Sequence, residues 1–178
     1  MTFTRTARLM MASMLIGLAG AAGSTAKIAV GDPEQIWTEM RWPFLLDEWG
    51  VGQAFRCKQE DCGPAARLFV RVKRGFCNCV QGVADDAEVD RLTDFAFFGG
   101  PSRPLEPGQP VTFGDMSGRV RSFAIQSAEA PSRRAVSLVI AKNCDALVAT
   151  IISDHAASLA SDSNAVDLLP RTILANLP

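Results

Sequence analysis

Residues Arg133–Ser153 read RRAVSLVIAKNCDALVATIIS. Two apolar runs rich in β-branched residues flank the short polar break NCD. β-Branched side chains pack well on a pleated surface, and Asn and Asp favour turns. The stretch therefore predicts two neighbouring strands joined by a tight turn. Just upstream, VTFGDMSGRVRSFAIQS (Val111–Ser127) adds two more strands around GDMSG. AEAPS supplies the turn between the pairs.

Towards the N-terminus, ARLFVRVKRGF alternates Leu68, Val70 and Val72 with Phe69, Arg71 and Lys73, which is strand period. GQAFRC is a shorter strand before it. KQEDCGP between them is turn chemistry, so Gln53 to Phe76 reads as a hairpin with a longish loop. In ADDAEVDRLTDFAFF the period changes to helical. Asp85 with Glu88 three residues on forms a capping-box pattern, and Val89, Leu92 and Ala96 make the inward stripe. Asp86, Asp90 and Asp94 then line the outer face. They lack the loop geometry that gathers oxygens around Ca²⁺, so a solvated acidic face is the expectation. GGPSRPLEPGQP (Gly99–Pro110) is loop by composition.

Asp32-Pro33-Glu34-Gln35 looks like a helix start, with Ile36, Trp37 and Met40 on one face. Pro43 keeps that helix short. The closing SNAVDLLPRTILANL predicts a helix beginning near Pro170, or a longer kinked one. The expected fold class is α+β: a mostly antiparallel meander sheet covered by helices.

The chain opens MTFTRTARLMMASMLIGLAGAAGSTA. Arg5 and Arg8 precede an uncharged apolar run, and Ser24-Thr25-Ala26 offers small residues for a signal peptidase. The run is about 14 residues, short of the roughly 20 that span a bilayer. Residues 1–26 are thus expected to be a signal peptide and 27–178 a single α+β domain. The product is expected to be periplasmic or secreted, with no transmembrane span after cleavage. Residues 27–178 carry 16 Lys+Arg against 19 Asp+Glu. This is no basic footprint, and nucleic acid is not an expected partner. Another exported or membrane protein is.

Five cysteines occur: Cys57, Cys62, Cys77, Cys79 and Cys144. In an oxidising compartment disulfides are the default, and an odd count leaves one thiol over. Proximity favours Cys57 with Cys62. A second bridge would tie Cys77 or Cys79 to Cys144, closing a loop of about 65 residues for about 4 kcal/mol in the chain-entropy model. C-x₄-C followed by C-x-C is a loose match to zinc spacing, and His155 is the one histidine. Cys77 and Cys79 form the alternative metal pair, as soft ligands for Cu or Zn, or a strained redox disulfide. No cofactor is expected.

Ser153-Asp154-His155 are sequence neighbours, which is not a catalytic triad, and GDMSG is not a nucleophile elbow. Among the tryptophans Trp37, Trp42 and Trp49, the pair Trp42 and Trp49 are candidate ligand contacts, with packing as the commoner use. The expected function is that of an exported, disulfide-stabilised accessory or binding protein, more readily non-enzymatic than catalytic. A periplasmic thiol-redox or thiolate metal-binding protein is the alternative.

The segments PGQPVTFGDMSGRVRSF, AVSLVIAKNCDALVATIIS and LLPRTILANL together resemble the closing half of the Mog1/PsbP-like fold. That resemblance implies a strand pair, a meander, a C-terminal helix packed on the sheet, and an accessory or binding role. It implies no particular functional residue.

Overall fold

The computed structural model describes residues 36–57, 66–75, 82–126, 132–153 and 169. The hairpin at Arg133–Ser153 forms as β7 (Arg133–Lys142) and β8 (Asp145–Ser153), paired from Arg134↔Ser153 to Lys142↔Asp145. Asn143 takes the left-handed backbone at the turn, φ 56°, which Asn tolerates better than most residues. Upstream, β5 (Gln109–Phe113) and β6 (Met116–Ile125) meet across Gly114-Asp115, where Gly114 has φ 59°. β6 then pairs with β7. The four-strand meander expected from these two stretches is present.

The other strands are β1 (Trp37–Met40), β2 (Gln53–Cys57), β3 (Ala66–Lys73) and β4 (Ser102–Pro104). All pairings are antiparallel, in the order β1-β2-β3-β8-β7-β6-β4, with β5 also on β6. β4 and β5 share the outer edge of β6, one opposite Phe123–Ile125 and the other opposite Met116–Val120.

β7 and β8 are buried along nearly their whole length, with no in–out alternation. Both sheet faces are therefore covered. One face gathers Leu68, Val70, Leu138, Ile140, Leu147 and Ile151 with Ile36, Trp37, Cys57 and Leu169. The other gathers Phe69, Val139, Val148 and Ile152 with Val89, Leu92 and Phe98.

The expectation of an α+β fold with helices covering the sheet is corrected. Of the described residues, 54% are strand and 12% helical, with one α-helix among them. Two local reasons account for this. Trp37–Met40 is strand, not helix: Trp37 lies opposite Cys57 and Met40 opposite Ala54. Pairing with β2 outweighs a three-residue helical pattern, because isolated short helices are marginal.

The second reason lies in α1 (Asp86–Leu92). Its start is as expected, since Asp85 caps it by accepting from the Glu88 N–H at 3.0 Å. It stops early, however. Thr93 is extended (ψ 131°), its N–H and hydroxyl both bond the Val89 carbonyl, and its Oγ1 lies 2.6 Å from Ser137 in the sheet. Residues Phe95–Phe98 form a separate 3₁₀ turn, and Ala96 is exposed instead of inward. The loop expected over Gly99–Pro110 contains β4 and the first residues of β5. The helix starts expected at Asp32 and near Pro170 lie outside the described residues. No helix among the described residues is long and apolar enough to cross a membrane.

Asp86 and Asp90 of α1 are paired with arginines, Asp90 while still exposed to solvent. Arg119 and Arg121, alternate residues of β6, sit beneath them. Asp86 accepts from the Gly108 N–H at 3.0 Å and from Arg119 Nε at 3.0 Å, and Asp90 takes both carboxylate bonds from Arg121 at 2.7 and 2.8 Å. The Gly108 amide above all, then Arg119 and Arg121, hold the Asp86 carboxyl below its ordinary 3.8, against the opposing effect of burial. A lowered native pKa means the contribution is full above the unfolded value and is lost as pH falls through the native one. Asp86→Asn is thus expected to destabilise the protein at neutral pH, with the difference from wild type shrinking in acid well below 3.8. Urea titrations of both proteins at each pH check this; a difference that does not change with pH would contradict it.

A candidate ligand cleft where β2 leaves β3

The segment WPFLLDEWGVG (Trp42–Gly52) follows β1 and is fixed at three points. Its aromatic start packs into the second face of the sheet. Trp42 meets Phe44, Phe69 and Phe97 edge-on at 5.1, 6.1 and 6.4 Å, and Phe44 stacks on Phe97 at 4.8 Å. Such offset and edge geometries are the favoured ones for aromatic rings. Its middle closes a turn, with Gly50 N–H donating to the Asp47 carbonyl at 3.0 Å and Trp49 N–H to Asp47 Oδ1 at 2.9 Å. Gly50 has φ 74°, so the turn needs glycine there.

The third point is ionic. Arg71 of β3 is 3% exposed and Lys73 is 4% exposed, levels at which an unpaired charge would be costly. Arg71 pairs with Asp47 and, at 3.2 Å, with Asp94, and it donates to the Gly50 carbonyl at 3.3 Å. Lys73 Nζ lies 2.6 Å from Asp94. Rings complete the shell: the Arg71 guanidinium is 5.2 Å from Phe97 and 5.7 Å from Trp42, and Lys73 Nζ is 5.7 Å from Trp49. The early end of α1 is what delivers Asp94 to both cations.

Held this way, the segment presents apolar side chains outward. Leu45, Leu46 and Val51 are 87%, 71% and 65% exposed. The chain then bends at Gly52. A Cβ there would lie 2.6 Å from both the Val70 carbonyl oxygen and the Trp42 ring, so only glycine fits. β2 begins at Gln53, opposite Val70. β3 continues to Lys73 against β8. The gap between the bend and the end of β3 is a cleft of ≈ 380 Å³. Trp49 and Val51 form one wall, Val70, Val72 and Leu147 another, and Gln53, Arg71 and Arg74 are its polar side chains. No carboxylate, hydroxyl, thiol or imidazole lines the cleft among the described residues. Such a lining can hold a ligand.

Of the two expected tryptophan contacts, the structure separates the roles. Trp42 is packing, and Trp49 lines the cleft. Cys57 and Cys144 are each disulfide-bonded. They are not bonded to each other. Cys57 ends β2 beside the start of β3, which lies opposite the end of β8, whereas Cys144 sits at the start of β8. Cys62, Cys77 and Cys79 lie outside the described residues, as does His155. Among the described residues no three His, Cys, Asp or Glu side chains are grouped as metal ligands.

Sequence reasoning missed Arg71, Lys73, Asp47 and Asp94 as one unit. A signal was present: cations at alternate strand positions, Arg71/Lys73 and Arg119/Arg121, facing a helix with acids every fourth residue. The chain matches no protein-family model and no curated protein, so the likeness to the Mog1/PsbP-like fold rests on sequence pattern alone.

Proposed function

We propose that this is an exported accessory or binding protein whose ligand occupies the cleft between Trp49–Gly52 and the end of β3. Export is supported by the charged, apolar and small-residue order of residues 1–26. The observation that carries the binding role is the way the cleft is built. Its aromatic wall is fixed in advance by the pair of buried Arg71 with Asp47 and by the Trp42 ring cluster, and its lining has apolar surface with a few polar groups and, among the described residues, no acid–base pair. Pre-fixing a wall lowers the ordering cost of binding. In the same reading two disulfides staple the domain, Cys57 with Cys62 and Cys144 with Cys77 or Cys79, leaving one thiol of the CNC pair over.

The experiment starts from protein purified from the extracytoplasmic fraction, expected to begin near Lys27. It is screened by ¹⁵N NMR against small-molecule and peptide mixtures, and in parallel for hydrolase and thiol-exchange turnover. The expected result is ligand-dependent shifts at the Trp49 indole and the Val72 amide without turnover. Turnover abolished by one polar substitution, or shifts confined to another surface, would overturn the proposal.

A further inference from the structure

We propose that the cleft takes the carboxyl-terminal end of an extended peptide, an inference that rests on the cleft being the ligand site. The first observation is an open piece of β-ladder. The Val70 carbonyl points towards Gly52, on the β2 side. Backbone groups of alternate residues in a strand point the same way, so the N–H and C=O of Val72 also face that side. β2 does not reach them, because the pairing ends at Gln53↔Val70 while β3 stays paired with β8 to Lys73↔Ala146. Val72 thus offers one donor and one acceptor to an incoming strand, in the place the chain vacates by bending at Gly52. Adding an extended peptide to such an edge is a general recognition mode.

The second observation is charge. Arg71 is already neutralised by Asp47 and Asp94. Arg74, exposed and lining the cleft, pairs with no carboxylate among the described residues. One unbalanced guanidinium at the end of a one-residue ladder suits a single carboxylate, which it can hold with two parallel bonds. A long guest strand would find no further ladder beyond Lys73, and a chain end needs none. The third observation is the apolar lining of Trp49, Val51 and Leu147, which suits an apolar last side chain. Together these features define a short peptide with an apolar C-terminal residue and a free carboxylate.

The test uses the full mature chain and two probes, acetyl-Ala-Val-Leu with a free carboxyl and the same peptide as its C-terminal amide. The free acid is expected to shift the Val72 amide and the Trp49 indole, and the amide to bind about tenfold more weakly, as for loss of one charge-assisted pair. Arg74→Gln should weaken the free acid to the level of the amide while leaving the melting temperature unchanged, because Arg74 is exposed. Equal binding of acid and amide would overturn the carboxylate assignment. Acetate or free leucine binding as well as the peptide would overturn the strand assignment. If neither probe binds but other compounds shift Trp49 and Val72, this inference fails and the cleft stands as a ligand site. If nothing tested shifts those two residues, the underlying proposal fails with it.

Discussion

Replacing Asp94 by alanine is expected to lower stability by about 3–5 kcal/mol, the range for breaking a buried ion pair from one side. Asp94 is the carboxylate that Arg71 and Lys73 share, with side chains only 2% and 5% exposed. Its loss takes from Arg71 one of its two carboxylates and from Lys73 the carboxylate at 2.6 Å. Most of the expected cost is the reduced compensation of these buried charges, not the strength of the lost bonds. Asp90→Ala is the internal comparison. Asp90 has a closer, two-bonded pairing with Arg121, but its side chain is 43% exposed. Solvent-exposed pairs contribute about 0–1 kcal/mol, so Asp90→Ala should fall in that range. Urea unfolding of the two variants decides the matter. Equal effects would mean that the Arg71 cluster is screened as a surface pair is, and that the Trp42–Gly52 segment is held by its rings alone. Asp94→Ala should also broaden the Trp49 indole signal, since that ring lies against Lys73.

Gly118→Ala is expected to cost about 3 kcal/mol, the upper end for forcing extra atoms into a filled interior. Gly118 lies within β6 opposite Ile140 of β7. A Cβ there would sit 2.1 Å from the Val139 carbonyl oxygen and 2.7 Å from the Ile140 Cα. Both are backbone atoms in a central strand, so neither can swing away as a flexible side chain would. Gly114, in the turn before the same strand, is the contrast. A Cβ on Gly114 would meet nothing within 4 Å, and the constraint at that position is φ +59°. Gly114→Ala should therefore cost about 1 kcal/mol through left-handed backbone strain. Thermal unfolding of the pair checks the order. A Gly118→Ala protein as stable as wild type would show that β6 and β7 can separate locally without loss.

The strands that were legible in the sequence are those whose signal is local. β7 and β8 announce themselves by β-branched runs on either side of Asn143-Cys144, β5 and β6 by the glycine turn, and β2 and β3 by period and turn chemistry. The start of α1 was equally local, since Asp85 and Glu88 meet within one turn. What was not legible depended on partners far along the chain. β1 is strand because β2 lies beside it, and α1 ends at Leu92 because Ser137 and Arg71 draw Thr93 and Asp94 away from helical geometry. The candidate site divides in the same way. Trp49 was singled out by residue type, whereas the open backbone of Val72 is a property of where two strands part and leaves no mark in composition.

The junction of β3 with β8 has a consequence for the order of assembly. Hairpins β5–β6 and β7–β8 close over two residues each and β2–β3 over eight, but Lys73 must find Ala146 and Ala66 must find Ser153. Closure entropy and contact order both make that the slow pairing. In a chain made from its N-terminus, β8 is also the last of the described strands to appear. Until it does, the inner edge of β3 has no neighbour and the N-terminal strands have no sheet to join. The final seam thus leaves the described sheet in two unjoined parts until β8 has been made.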